Sequence, residues 1–389
     1  MAPRLTPLEI MTALVGFPTV SRDSNLPLID WVADYLSSHG IESHRWPDPD
    51  QPEKAALFAH VGPWVEGAVV LSGHTDVVPV DGQNWTTDPF TVTERDGRYY
   101  GRGCTDMKGF DALAIWALVE AQYSDLKTPL QLALSFDEEV GCTGAPPMIE
   151  AMQPVLPKGD MVIVGEPSMM KAVTGHKGGY GLHTHLTGHE VHSSLLHQGV
   201  NAIMAAAPLL QWVNDTNAAC MAKAPSDLAA MFDPPFTTTH VGTISGGTAH
   251  NITAKDCEFG VTWRVVPGED PSDYLTAYTA LAREVEARMQ AIHPDARIEL
   301  TPWFRVPGLH PEPDGAAETL VRQLTGDNDS HKVSYGTEAG QFQEAGYSAV
   351  ICGPGDIAQA HQPDEYITVE QFQAGHAFMR RLLDRVQTP

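Results

Sequence analysis

Four short apolar runs constrain this chain more than any other feature: "GAVVLSGH" (67–74), "LQLALSF" (130–136), "DMVIVGEP" (160–167) and "SAVICGPG" (348–355). None of them alternates, and each stops at a glycine or a polar residue. Runs of that length and kind suit strands buried on both faces. Helical patterns lie around them, over 26–38, 109–123 and 369–386. Strands interleaved with helices predict a layered α/β domain.

The middle of the chain is patterned differently. "GYGLHTHLTG" (179–188), "TTTHVGTISGG" (237–247) and "KDCEFGVTWRVV" (255–266) alternate like half-exposed strands, and "ARIELTPWF" (296–304) closes the set. "NAIMAAAPLLQWVND" (201–215) and "SDYLTAYTALAREVEARMQAIH" (272–293) read as helices, the second with Ser272 as its N-cap. The order β-α-β-β-α-β is the split βαβ, ferredoxin-like unit. A small α+β domain, 178–305, is therefore expected inside a larger α/β domain made of 1–177 and 306–389.

Composition excludes some partners. The 389 residues carry 24 basic and 49 acidic side chains, a formal charge of −25. Nucleic acid and anionic membrane surfaces both need Lys and Arg, so neither is expected as a partner. The acidity reads as solubility. The five cysteines are widely spaced with no CxxC, which fits reduced thiols in a cytoplasm rather than a disulfide framework. No basic stretch followed by an apolar run opens the chain, and the longest apolar run, 202–210, contains Pro208 and is too short to span a bilayer.

The ends of the four runs carry the chemistry. "VVLSGHTD" delivers His74 and Asp76, which share one face of a strand. "LALSFDEE" delivers Glu138 and Glu139, "MVIVGEP" delivers Glu166, and "AVICGPGDIAQAHQ" reaches His361 after a Gly-rich turn. Asp106 sits in the glycine-rich "GRGCTDMKG". In open α/β sheets, ligands bind beyond the carboxyl ends of the strands. Any one of these residues alone is an ordinary surface acid or polar histidine. Together they make a poor core and a good cage for divalent cations, and a pair of zinc ions suits such mixed ligands.

In order and spacing, "SGHTDVVP", "GRGCTDMKG", "DEEVGCTGA", "GEPS" and "AHQPDEY" resemble the M20 metallopeptidase and deacylase family, from about residue 8 to the C-terminus. The resemblance implies a zinc-exopeptidase-like three-layer catalytic domain with an inserted ferredoxin-like lid that dimerises. It implies two Zn²⁺, with Co²⁺ or Mn²⁺ as substitutes, and hydrolysis of a linear amide. By the same resemblance His74 and Glu166 would hold one metal, Glu139 and His361 the other, and Asp106 would bridge them. Asp76 would accept the second N–H of His74 and so orient it. Glu138 would be the general base, and Asp137 is left without a role.

In the lid, "GHEVHSS" resembles the family's segment whose histidine, here His192, reaches the partner subunit's active site and supports the oxyanion. Asn251 in "GGTAHNIT", Arg264 in "VTWRVV", and Gly336 and Thr337 in "SYGTEAGQF" match substrate-binding positions. An Arg fork suits a carboxylate. "GTEAGQF" and "AHQPDEY" resemble members that remove the acetyl group from N2-acetyl-L-ornithine in arginine biosynthesis. The alternatives are a succinyl-diaminopimelate desuccinylase and a broad aminoacylase, which share every metal ligand. A non-enzymatic scaffold would be expected only if Glu138 or a ligand were replaced. Glu338 would suit a cationic substrate side chain. Cys104 and Cys142 are assigned to packing, and His183 and His185 to the exposed face of a lid strand.

Overall fold

The computed structural model describes residues 3–388. These form two compact units. The first comprises the described residues up to Gly175, Leu309–Lys332, and those from Thr337 onward; the second comprises His176–Gly308 and Val333–Gly336.

The first unit is built on an eight-stranded sheet. Its order is Ser43–Pro47, Ala55–Val61, Leu130–Ser135, Ala68–His74, Gly159–Pro167, Ser348–Gly353, Val173–His176, His331–Val333. The four apolar runs are the four central strands, and they pair in parallel with one another. Every residue of Ala68–His74 and of Leu130–Ser135 is buried, as parallel strands covered on both faces require. Leu130, Leu132 and Leu134 share a core with the helices Lys108–Gln122 and Val369–Val386, and the helix Ala145–Met152 packs against the same strand.

The chain leaves Ala68–His74, forms Leu130–Ser135 on one side of it, then crosses to form Gly159–Pro167 on the other. That reversal is a topological switch point, where a crevice opens beyond the strand ends. His74 ends the strand at that reversal.

The second unit has a four-stranded antiparallel sheet, in the order Thr238–Gly246, Asp256–Val265, Gly178–Thr187, Arg297–Val306. With the helices Ala202–Ala222 and Pro271–Gln290 packed on it, this is the ferredoxin-like arrangement. Burial alternates along Asp256–Val265, with Cys257, Phe259, Val261, Trp263 and Val265 facing the core.

Two expectations change. The first helix of this unit runs to Ala222, past the polar stretch after Val213 that read as its end. Asn217 is used there: its side-chain amide donates to the Thr239 carbonyl at 2.7 Å and accepts from the Thr239 N–H at 2.8 Å. The cap of the second helix is Asp270, not Ser272. Pro271 occupies the first turn, and the Asp270 carboxylate accepts from the Ser272 N–H at 2.8 Å. Among the described residues no helix is long and apolar enough to cross a membrane.

Candidate metal centre

Three parallel strands bring their ends to one place. His74 ends Ala68–His74, Glu138 and Glu139 follow Leu130–Ser135, and Glu166 lies near the end of Gly159–Pro167. The residue before His74 has to be glycine. A Cβ on Gly73 would meet Asp111 Oδ1 at 2.0 Å and Met107 Cε at 2.9 Å. The sheet and the helix Lys108–Gln122 thus approach closely beneath His74.

Two loops supply the rest. Asp106 comes from the turn before that helix, and His361 from the loop after Ser348–Gly353. Asp106 Oδ1 lies 3.1 Å from His74 Nε2, and Asp106 Oδ2 lies 3.2 Å from His361 Nε2. Glu139 Oε2 is 3.0 Å from His361 Nε2, and Glu166 Oε1 is 3.7 Å from His74 Nε2. Ligand-type atoms of His74, Glu138 and Glu166 fall within 4.8 Å of one another, and so do those of His74, Asp106 and Glu139. The structure therefore assembles all seven residues that the strand ends and the glycine-rich turn pointed to, Asp76 included.

The electrostatics of this cluster call for positive charge. Burial pushes the Glu138 carboxyl up to about 7. Burial, with the charge of Asp106 beside it, pushes Glu139 up to about 8. Glu166 is raised by the same two causes. His361, hydrogen-bonded to Asp106 and Glu139, is raised to about 10. Burial opposes a charge on His74, yet its bonds to Asp106 and Asp76 raise it above the ordinary range. Asp106 is also buried, but its two imidazole partners hold it below the usual carboxylate range.

Glu139 Oε1 is buried with no hydrogen-bond partner, an expensive state for a carboxylate oxygen. A cation would give it one. Imidazole and carboxylate are the donors that zinc and its neighbours prefer, so these residues fit a divalent metal.

Asp76 has a wider task than its pattern implied. The His74 Nδ1–H faces the backbone carbonyl of Asp76 at 2.9 Å, with the Asp76 carboxylate at 3.6 Å. That carboxylate accepts from the Glu138 N–H at 3.1 Å, the Glu139 N–H at 3.3 Å and the Ser21 hydroxyl at 2.7 Å. It therefore holds the acidic turn as well as flanking His74. Cys142 does more than pack, since its Sγ donates to Glu138 Oε1 at 3.1 Å.

Glu338 is turned inward rather than toward solvent. It is 1% exposed, and its carboxylate accepts from the Ser135 and Ser72 hydroxyls behind the strand ends. Burial pushes it up to about 7.

Sequence reasoning missed Glu365 and Arg102, both 1% exposed. Glu365 Oε1 accepts from the N–H groups of Gly103, Thr105 and Asp106 at 3.0–3.1 Å, while Oε2 takes Arg102 Nη1 at 2.5 Å. Both residues lie inside quoted motifs, "GRGCTDMKG" and "AHQPDEY", and that was the available signal.

The other predicted residues divide by unit. Thr337 belongs to the first; it is buried, and its hydroxyl accepts from the Ala339 N–H at 3.1 Å. His192, Asn251, Arg264 and Gly336 belong to the second. There the Ser193 N–H donates to the Asn251 carbonyl at 2.9 Å, so His192 and Asn251 adjoin. His192 is exposed, and its Nδ1 accepts from the Ser194 N–H at 3.2 Å. Arg264 is exposed on its strand.

Residues 70–385 match the model of peptidase family M20/M25/M40. An acetylornithine deacetylase of Myxococcus xanthus is 36% identical over 375 residues, covering 95% of each chain. Another, of Pasteurella multocida, is 33% identical over 397 residues and 98% of each. An M20 family metallo-carboxypeptidase from Sulfolobus solfataricus shares the fold, with a TM-score of 0.79 at 15% identity over 98% of this chain and 99% of that one. With the matched length, the strand-end cluster and these relatives in agreement, the chain belongs to the M20 peptidase family and is a metal-dependent hydrolase.

Proposed function

We propose that this protein removes the acetyl group from N2-acetyl-L-ornithine, giving L-ornithine and acetate. Two relatives with that activity in their names match 95–98% of the chain, which supports the substrate. The observation that carries the chemistry is the two-sided reach of Asp106, one oxygen toward His74 and the other toward His361.

In this reading His74 and Glu166 would hold one divalent cation and Glu139 and His361 a second, with Asp106, whose two oxygens face the two imidazoles, reaching toward both. Two zinc ions suit the donors, and Co²⁺ or Mn²⁺ suit them too. Bound there, such cations would supply polarisation of the amide carbonyl and a lowered pKa for the attacking water. Glu138 stands beside the ligands without being assigned as one. Its carboxylate takes the proton of the attacking water and returns it to the leaving amine. The Cys142 thiol fixes one oxygen of that carboxylate. Burial keeps this thiol protonated and a donor.

Arg264, Asn251, Gly336 and Thr337 are the proposed contacts for the substrate's carboxylate and backbone. His192 is the proposed oxyanion donor. With Nδ1 accepting from Ser194, its proton sits on Nε2, the free nitrogen. We assign it to the site of a partner copy in a homodimer formed through the second unit. The five unpaired, buried cysteines support a reducing compartment such as the cytoplasm.

The substrate is tested by kcat/KM on N2-acetyl-L-ornithine against N-succinyl-LL-diaminopimelate, where a preference for the succinyl compound overturns the assignment. The shared site is tested by mixing His192→Ala with Glu138→Ala. One site of a mixed dimer is then whole, and activity returns to about half per dimer. A mixture that stays inactive after subunit exchange places His192 in its own chain's site.

A further inference from the structure

Asp137 opens the acidic triplet, has a positive φ of 56°, and is 3% exposed. It carries neither the proposed base nor a proposed ligand. Its partner lies 83 residues away in the chain: Lys54, itself 4% exposed, donates its ammonium to Asp137 Oδ1 and to the backbone carbonyl of Ser21. Gln51 Nε2 reaches the other Asp137 oxygen at 3.2 Å.

These contacts close a ring. Ser21 donates its hydroxyl to Asp76 Oδ2 at 2.7 Å. The Asp76 carboxylate accepts the N–H groups of Glu138 and Glu139 at 3.1 and 3.3 Å. Glu138 and Glu139 follow Asp137 directly, and Asp137 returns to Lys54, which returns to Ser21. The turn bearing two functional carboxylates is thus fixed at its backbone by Asp76 and at its first side chain by Lys54. No helix or strand covers residues 136–144.

We propose that Lys54 is a positioning residue for the acidic turn, setting through Asp137 both the aim of Glu138 and the placement of Glu139. The inference rests on the roles given above to Glu138 and Glu139. A buried ion pair adds little net stability, because the loss of water around both charges offsets their attraction. Its better-attested use is to fix one arrangement among several. Here the arrangement is a left-handed residue at the start of an irregular turn. Asp tolerates that conformation, but the conformation costs energy that the surroundings must hold in place.

The test uses full-length, zinc-loaded protein and four variants: Lys54→Met, Asp137→Asn, the two combined, and Glu138→Gln. Three quantities are measured: kcat and KM on N2-acetyl-L-ornithine, zinc affinity by chelator competition, and Tm. In Lys54→Met we expect kcat to fall about 10²-fold with KM within about threefold. The more weakly held zinc should loosen about 10–100-fold, as when an outer partner of a ligand is removed. Asp137→Asn keeps an oxygen for Lys54 and tolerates the positive φ. It should lose about tenfold in kcat, the effect of one weakened charge-assisted hydrogen bond.

The combined variant should match Lys54→Met instead of multiplying the two losses, because the pair acts as a unit. A purely structural role would lower Tm and leave kcat and zinc affinity of the folded fraction within twofold of the parent; that result overturns the proposal. Should Lys54→Met fail to fold, Asp137→Asn decides alone, and parental kcat and zinc affinity there overturn it. Glu138→Gln separates the two readings. If it keeps kcat, the base assignment fails, while the zinc affinity of the Lys54 variant still judges Lys54.

Discussion

His74 and Glu166 are held by strands, whereas Glu139 and His361 are held by loops. His74 is the last residue of a strand paired on both sides, and Glu166 lies within one that is likewise paired on both sides. The two are 1% and 4% exposed. The His361 side chain is 51% exposed, and its backbone has a φ of 63°. Glu139 comes two residues after another positive φ. Each such non-glycine residue costs about 1–2 kcal/mol, and no ladder of backbone bonds repays it. The loop side carries other anchors instead. Glu365 gathers three N–H groups of the Asp106 turn, and the Asp364 carboxylate takes the Thr86 N–H at 2.7 Å and hydroxyl at 3.0 Å. Where the sheet does not hold a proposed ligand, carboxylates bonded to the backbone, Glu365 buried and Asp364 partly so, hold the loop.

The largest effect should come from the residue that joins the two sides. Asp106→Ala is expected to lose metal from both, because each of its oxygens faces one imidazole. His361→Ala touches only the loop side and should keep one equivalent of metal after dialysis. Metal analysis of the two purified variants checks this. One tightly held equivalent in Asp106→Ala would assign that carboxylate to a single side and break the symmetry of the centre.

Glu365→Gln comes next. The side chain keeps its length but loses its charge, so the bonds it accepts from three N–H groups fall to about half their strength, and Arg102 is left buried beside a neutral partner. A loss of about 10–100-fold in metal affinity is expected, concentrated on the loop side. A two-step chelator titration reads it. An equal loss from both steps would mean that Glu365 supports the whole unit and not the loop side alone.

The same division explains what could be read from the sequence. The strand side was legible because an unbroken apolar run ending in His or Glu has few other readings, as in "VVLSGH" and "VIVGEP". The second unit was legible because its alternation matches a one-sided sheet. The loop anchors were hidden. Lys54 and Asp137 are 83 residues apart, Arg102 and Glu365 are 263 apart, and no local pattern joins either pair. The place of Glu338 was equally hidden, for a different reason. Its neighbours in "GTEAGQF" suggested a substrate loop, while the chain folds it inward onto Ser72 and Ser135. Asp111 gave no signal either: it is a buried acid in a helix, pushed up to about 8 by burial, with both oxygens lacking a partner.

Gln83→Ala should give the smallest effect that still tells the two sides apart. Gln83 Nε2 donates to the His361 carbonyl at 3.0 Å, and its Oε1 accepts from Arg102 Nη2 at 2.7 Å and from Trp85 Nε1 at 3.0 Å. It therefore ties the backbone of one proposed ligand to the cation that holds Glu365. The residue is only partly buried, so water can replace much of what it provides. The neutral bond to the His361 carbonyl, the one that bears directly on the loop, is worth about 0.5–1.5 kcal/mol, or roughly two- to tenfold in an equilibrium constant. We expect a loss of that size in the loop-side step of the chelator titration, and none in the strand-side step. KM should stay level, since nothing places Gln83 against substrate. If Gln83→Ala weakened metal binding more than Glu365→Gln does, His361 would depend chiefly on its own backbone tether, and the buried Arg102–Glu365 pair would be secondary to it.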